Sequence, residues 1–229
     1  MFQMSASLKS MVLISLLCIV SVSSQADLVV DGDELQMSLF QDTVDTSNRF
    51  LTCNCLPADG GQFRTVLRFS VSVDNVGSEP AVYPALPEGL ASPVTTDPFW
   101  TFNECREEWT LAEWALYEIL GPDGTLLLSG VKYGYCTYDY TCSGGVSPRF
   151  TCDPAGRQGI SVGCRDTYDY NQPCNMIDIT TLNQTLGYDP EAEYSLRVTF
   201  NPAGKVDEAD LTNNAATATF IPAAVPVRS

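Results

Sequence analysis

Apolar and polar side chains alternate with a period of two along several short stretches of this chain, and helical periodicity is almost absent. Arg64 to Val73 (RTVLRFSVSV) alternates strongly, with Leu67, Phe69, Val71 and Val73 on one face, and Asp74-Asn75-Val76-Gly77 halts it. Leu111 to Leu120 is aromatic and β-compatible. Gly121-Pro122-Asp123-Gly124 then makes a turn, and Thr125 to Val131 returns as the second strand of a hairpin. Tyr194 to Phe200 alternates again until Asn201-Pro202, and Ala215 to Ile221 forms a last strand. Between them, Tyr133 to Asn175 is rich in Gly, Cys, Tyr and Asp with little periodicity, which predicts a loop-rich excursion. The expected fold is all-β: an antiparallel β-sandwich with long disulfide-stapled loops and little helix.

The N-terminus bears on the compartment. Lys9 precedes an apolar run from Met11 to Val22, followed by Ser23-Ser24-Gln25-Ala26, which reads as a secretory signal peptide over residues 1–26. A signal anchor is the alternative, but the run is short of the about 20 apolar residues a span needs. Residues 27–221 make a single domain and 222–229 a short C-terminal tail. Nine cysteines less Cys18 leave eight, an even number that suits four disulfides in a secreted chain. Cys53 and Cys55 sit too close for an unstrained bridge to each other, so they reach two distant partners. Asn183-Gln184-Thr185 is an N-glycosylation sequon and suits a surface loop. With 28 acidic against 12 basic residues the formal charge is −16. Such a surface repels nucleic acid and anionic membranes and attracts basic proteins or cations, although acidity also serves solubility alone.

Three segments carry more specific information: Trp100 to Leu120, Gly130 to Cys142 (GVKYGYC and beyond) and Gln158 to Thr180 (QGISVGCRDTYDY and beyond). Together with the cysteine order C-x5-C-x9-C-x11-C-x9-C from Cys136 to Cys174 they resemble the catalytic domain of lysyl oxidases, over nearly the whole length from Asp27 to Asn214. Those are extracellular copper enzymes that oxidise lysine side chains. The resemblance implies bridges Cys136–Cys152, Cys142–Cys164, Cys53–Cys105 and Cys55–Cys174. It also implies that Lys132 and Tyr168 stand where the family cross-links a lysine to a copper-oxidised tyrosine, forming lysine tyrosylquinone. On the residues alone, the preferred reading is that Lys132 is a loop lysine and Tyr168 a packed tyrosine, since the chain has ten tyrosines.

Copper is where this chain departs from the pattern. It contains no histidine. The family's His-x-His-x-His positions are occupied by Arg106, Glu108 and Thr110, and the histidine before the cofactor lysine is Val131. Copper(II) favours imidazole nitrogen, and a permanently cationic guanidinium does not ligate. The usual general base near neutral pH is missing too, with Asp166 as a candidate replacement. By contrast, Glu208-x-Asp210-x-x-Asn213-Asn214 offers hard oxygen ligands suited to calcium. The resemblance adds Asp27 and the carbonyl of Leu28 to that set, so that calcium would staple the N-terminal segment to the C-terminal hairpin. A turn rich in Asp and Asn is the plainer reading. Three functions stay open: a secreted lysyl-oxidase-like pseudoenzyme that binds basic or lysine-rich proteins, a copper-dependent amine oxidase with unusual ligands, or a structural matrix glycoprotein.

Overall fold

Gln36, on a short helix, completes the outer edge of a β-sheet with its side-chain amide, an arrangement set by how the strands are ordered. The computed structural model describes residues 25–46, 55–56, 63–86, 98–103, 108–131, 136–152, 157–172 and 174–227. In chain order the elements begin with β1 (Leu28–Val30), α1 (Gly32–Ser38), β2 (Phe40–Asp45), β3 (Phe63–Arg68), β4 (Val71–Asn75) and β5 (Ala81–Val82). They continue with β6 (Trp100–Asn103), β7 (Glu108–Leu111), β8 (Ala115–Leu120), β9 (Leu126–Val131) and β10 (Thr141–Cys142). The last are β11 (Gly159–Ile160), β12 (Cys164–Tyr168), β13 (Met176–Asp178), β14 (Tyr194–Phe200) and β15 (Ala215–Phe220). The strands pair antiparallel, and the two four-stranded sheets run β1-β4-β12-β10 and β15-β14-β8-β9. Their inner faces meet in one core that includes Leu28, Val73, Tyr168, Ile119 and Val198. Each aliphatic side chain fully buried there contributes about 1.5–3 kcal/mol. No helix among the described residues is long and apolar enough to cross a membrane.

The hairpin expected around Gly121–Gly124 forms as β8 and β9, closed by Gly121 N donating to the Thr125 carbonyl at 2.8 Å. Gly124 takes a φ of +81°, which glycine adopts without steric cost. Two expected strands are divided. Arg64 to Val73 is broken at Phe69–Ser70 into β3 and β4, which belong to different sheets. Side chains take the backbone groups at the break: Ser70 N donates to Ser38 Oγ at 2.7 Å, and Asn175 Nδ2 donates to the Phe69 carbonyl at 2.7 Å. Both faces of this segment are buried, and its polar positions survive by pairing, with Arg68 on Asp42 at 2.7 Å and Arg64 on Asp178 at 3.3 Å. Leu111 to Leu120 is likewise interrupted by a turn at Ala112-Glu113, where Glu113 has a φ of +55°.

The region expected to be a loop-rich excursion contributes β12, a central strand of the first sheet. Its ladder to β4 is reinforced by Arg165, whose guanidinium forks onto Asp74 at 2.9 and 2.7 Å and reaches Asp31 at 3.2 Å. Asp31 also caps α1, accepting from Glu34 N at 3.0 Å, so one arginine ties the helix start to two strands. Across α1, Gln36 accepts from Thr219 N at 2.8 Å and donates to the Thr219 carbonyl at 2.9 Å. That amide covers the open edge of β15. Bridges Cys55–Cys174, Cys136–Cys152 and Cys142–Cys164 join the strands and loops, the last directly across β10 and β12. At Gly159 any Cβ would run into the Ala81 carbonyl and the Phe150 ring, so only glycine lets β11 approach β5 there. Beyond β15 the chain lies along β2, with Gln41 N donating to the Pro226 carbonyl at 2.8 Å and Val225 entering the core.

Candidate functional site

β12 carries two buried polar side chains, Asp166 and Tyr168, on one face, as the period of two requires. Tyr168 is 1% exposed, its ring stacked on Phe200 at 5.8 Å. Trp114 Nε1 donates to its phenol oxygen at 3.1 Å, and the Thr137 hydroxyl shares a hydrogen bond with the same oxygen at 3.1 Å. Asn175 Nδ2 donates to its carbonyl at 2.8 Å, which holds the strand at that point. Burial pushes the Tyr168 phenol well above its ordinary pKa, and the charge of Asp166 adds to the effect. Tyr83, equally buried and edge-on to Trp114 at 5.0 Å, is raised by burial as well. Tyr168 is thus a deeply packed phenol held at a defined point.

Beside it opens a cleft of about 790 Å³, with Asp166 and Tyr168 at its buried end and Tyr138, Pro148, Phe150 and the Cys136–Cys152 bridge among its walls. The walls are held by a carboxylate that sequence reasoning did not single out. Asp139, 4% exposed, accepts from Arg149 N at 2.7 Å and Phe150 N at 3.2 Å. It also accepts from Ser161 N at 2.7 Å and Ser161 Oγ at 2.8 Å. Four donors from two other segments therefore converge on one side chain. No periodicity announces such a residue, because it sits in irregular chain. Asp166 makes the buried end of the cleft electronegative, and it also raises the phenol of Tyr138 after the larger effect of desolvation. Such a cleft, walled by aromatic rings and negative at its base, suits a cation.

The positions where the resemblance led us to look for copper ligands and the cross-linked lysine are only partly described. Lys132, Arg106, Cys53 and Cys105 lie outside the described residues, as do the side chains of Glu108 and Val131. Thr110, on β7, is 3% exposed, and its hydroxyl donates to the carbonyl of Thr101, its cross-strand partner, at 3.4 Å. Its one donor is spent on the backbone of its own hairpin.

The oxygen-rich constellation does come together. Asn213 Nδ2 donates to Asp27 Oδ1 at 2.8 Å, and Glu208 accepts from Leu28 N at 2.9 Å and from Asn214 Nδ2 at 2.8 Å. Ala209 N donates to the Ala26 carbonyl at 2.7 Å, completing the clasp between the N-terminal segment and the 208–214 turn. Burial raises the carboxyl of Glu208 despite hydrogen bonds from Asn201, Asn214 and Leu28. The Oδ1 atoms of Asn213 and of the 1%-exposed Asn214 are buried and take no donor. Acceptors left over among carboxylates suit a hard cation. Asp210 stands apart: it is exposed, and it accepts from Thr212 N at 2.8 Å and Thr212 Oγ1 at 2.6 Å, as a turn-former does. Asn183 is exposed on a 3-10 turn over Leu182–Gln184.

Comparison with known proteins assigns the chain to a family. The family model described as lysyl oxidase matches residues 26–223. The chain is 33% identical over 167 residues to lysyl oxidase homolog 2A of Danio rerio, an alignment covering 70% of this chain and 20% of that protein. It is 32% identical over 201 residues to lysyl oxidase homolog 3A of Danio rerio, covering 83% of this chain and 25% of the relative. With human lysyl oxidase homolog 3 it shares 34% identity over 153 residues, 66% of this chain and 18% of that protein. The chain thus spans about a quarter or less of the length of these curated relatives. Family model, relatives and an all-β disulfide-stapled fold agree, and the chain belongs to the lysyl oxidase family.

Proposed function

We propose that this chain is a secreted lysyl-oxidase-like domain that binds basic, lysine-bearing extracellular proteins without oxidising them. The observation that carries the reading is the copper position itself: in a chain without histidine, the hydroxyl of Thr110 is buried and turned to the Thr101 carbonyl. A guanidinium at 106, a carboxylate at 108 and an aliphatic side chain at 131 do not make a copper(II) site. With no copper to oxidise the phenol, Tyr168 remains a tyrosine, and its elevated pKa keeps it neutral at physiological pH. Its role is then structural, closing the buried end of the cleft through Trp114 and Thr137. The cleft supplies the binding function: the negative charge of Asp166 draws an ammonium group, and the rings of Tyr138 and Phe150 receive it. A net charge of −16 steers basic partners toward the molecule.

Calcium belongs to the same reading as a structural ion. Asp27, Glu208, Asn213 and Asn214 would hold it with the Leu28 carbonyl, and the unpartnered amide oxygens of Asn213 and Asn214 support the fit. Bound there, it would neutralise carboxylates that otherwise crowd one another.

Peptide mapping of the protein secreted in copper-replete medium tests the reading. Peptides containing Lys132 and Tyr168 should appear separately and unmodified, with metal analysis finding no stoichiometric copper. A cross-linked Lys132–Tyr168 peptide, or copper accompanied by a quinone absorption band, would establish amine oxidation with unusual ligands instead. The triple variant Arg106→His, Glu108→His, Thr110→His should not restore turnover, because Val131 still lacks a ligand nitrogen. For the binding claim, a lysine-rich peptide should bind and its fully acetylated form should not, since acetylation removes the cation.

A further inference from the structure

A second, smaller cavity of about 200 Å³ lies on the face of the molecule that carries Asn183, which is itself one of its lining residues. Tyr188, Pro190 and Pro222 line it with ring carbons, and Gln41 and Thr180 line it with polar groups. The walls are braced. Tyr188 packs against Tyr194 with centroids 5.9 Å apart, Asp189 N donates to the Tyr194 hydroxyl at 2.9 Å, and Ala223 N donates to the Pro190 carbonyl at 3.0 Å. The 3-10 turn that presents Asn183 is anchored by buried Leu182, whose carbonyl accepts from Thr185 N at 3.1 Å and Thr185 Oγ1 at 2.7 Å. Asn183 is therefore exposed yet held at the rim of a preformed hollow. Three residues further on, Leu186 is fully exposed, an apolar side chain left to water in the same loop.

We propose that this cavity seats the first sugar of an N-linked glycan carried by Asn183. The attachment chemistry is that of the sequon: Asn183 Nδ2 bonds to C1 of the sugar, the C1–oxygen bond to a lipid-linked diphosphate donor breaks, and the amide proton leaves to the diphosphate. An N-acetylated hexose has apolar CH faces and a ring of hydroxyl and amide groups. The ring carbons of Tyr188 and the two prolines match the CH faces, and Gln41 and Thr180 match the polar rim. Free sugars bind such shallow sites weakly. A tethered sugar does not dissociate, and its effective concentration at the cavity is in the millimolar range or above (~mM) for so short a link. The occupant thus follows from the lining itself: the sequon asparagine is part of the wall.

The protein secreted from a eukaryotic host, analysed intact by mass spectrometry, reports first whether Asn183 is occupied. Three forms are then compared: the native glycoform, an endoglycosidase product retaining one N-acetylglucosamine, and an amidase product in which Asn183 has become aspartate. The one-sugar form should keep the Tm of the native glycoform, and the stripped form should melt about 2–4 °C lower. Hydrogen exchange should accelerate several-fold in the stripped form at Tyr188 N and Ala223 N, whose bonds brace the cavity. In a Tyr188→Ala background the one-sugar and stripped forms should become indistinguishable. If that variant is not secreted, Gln41→Ala serves, with a reduced difference expected. An unmodified Asn183, or one-sugar and stripped forms alike in Tm and exchange, would overturn the proposal. A difference that survives both variants would also overturn it, because the sugar would then be acting outside the cavity.

Discussion

Replacing Asp139 by alanine removes the one acceptor on which four donors converge, and the cost can be worked from the contacts. Oδ2 accepts from Arg149 N, Phe150 N and Ser161 Oγ, and Oδ1 accepts from Ser161 N. The hydroxyl of Ser161 can rotate to another partner, but the three backbone N–H groups cannot leave. A buried donor stranded in this way costs about 1–3 kcal/mol, and relaxation lets some of them reach water. We expect Asp139→Ala to lose about 4 kcal/mol, a drop in Tm of about 8–16 °C for a domain of this size. Asp139→Asn separates geometry from charge. Its amide oxygen can serve the three donors at the Oδ2 position, while its NH2 opposes Ser161 N, so the loss should be about 2 kcal/mol. Urea denaturation under non-reducing conditions, with disulfides intact and a common m-value, measures both. A loss below about 1 kcal/mol for alanine, or equal losses for the two variants, would refute the convergence argument. Because Asp139 and Phe150 line the cleft, lysine-peptide affinity should fall with the alanine variant as well.

Two other outcomes follow from the oxygen cluster and the buried phenols. Chelation should lower the Tm of the purified protein, by about 5–10 °C if calcium had been present at about 100 times its dissociation constant, a stabilisation of about 2.7 kcal/mol. Asp27→Asn, with a site about tenfold weaker, should cut that stabilisation to about 1.4 kcal/mol and halve the response, and a melting curve indifferent to chelator would exclude the calcium clasp. Ultraviolet titration of phenolate should leave Tyr83 and Tyr168 neutral among the ten tyrosines until the fold is lost. The sign follows from linkage: a phenol whose pKa is raised by folding contributes its full stability below the unfolded value of about 10, and loses it as pH climbs toward the folded value. Reversible ionisation of all ten tyrosines in a protein with unchanged circular dichroism would contradict their burial.

Legibility in the sequence tracked how locally each feature is decided. The hairpin around Gly121–Gly124 and the strands Tyr194–Phe200 and Ala215–Phe220 show plainly in the alternation, since one face is buried and the other is partly solvated. Arg64 to Val73 misled because its break is made by Ser38 and Asn175, residues far away in the chain. α1 has seven residues, too few for a period of 3.6 to show, and its cap and its Gln36 are recognisable only once β15 lies beside it. β12 hid inside a cysteine-rich stretch whose polar residues, Arg165 and Thr167, are matched by Asp74 and Ser72 on β4. The candidate site divides in the same way. Tyr168 could be named from the motif around Cys164, but that Trp114 and Thr137 hold its phenol shows only when segments 54 and 31 residues away fold onto it.

By itself, the sequence determined the β-sheet character, the cysteine-rich and acidic nature of the chain, and the absence of any imidazole. These follow from composition, period and residue chemistry, which need no partner to be read. Only the tertiary structure decided that Tyr168 is sealed among Trp114, Thr137 and Phe200, that Asp139 holds the cleft walls, and that Asp27 receives the amide of Asn213 while Glu208 receives that of Asn214. Each joins groups between ten and nearly two hundred residues apart in the chain. Hydrogen bonds and burial at that separation depend on which strands pair, and strand pairing is a property of the whole chain.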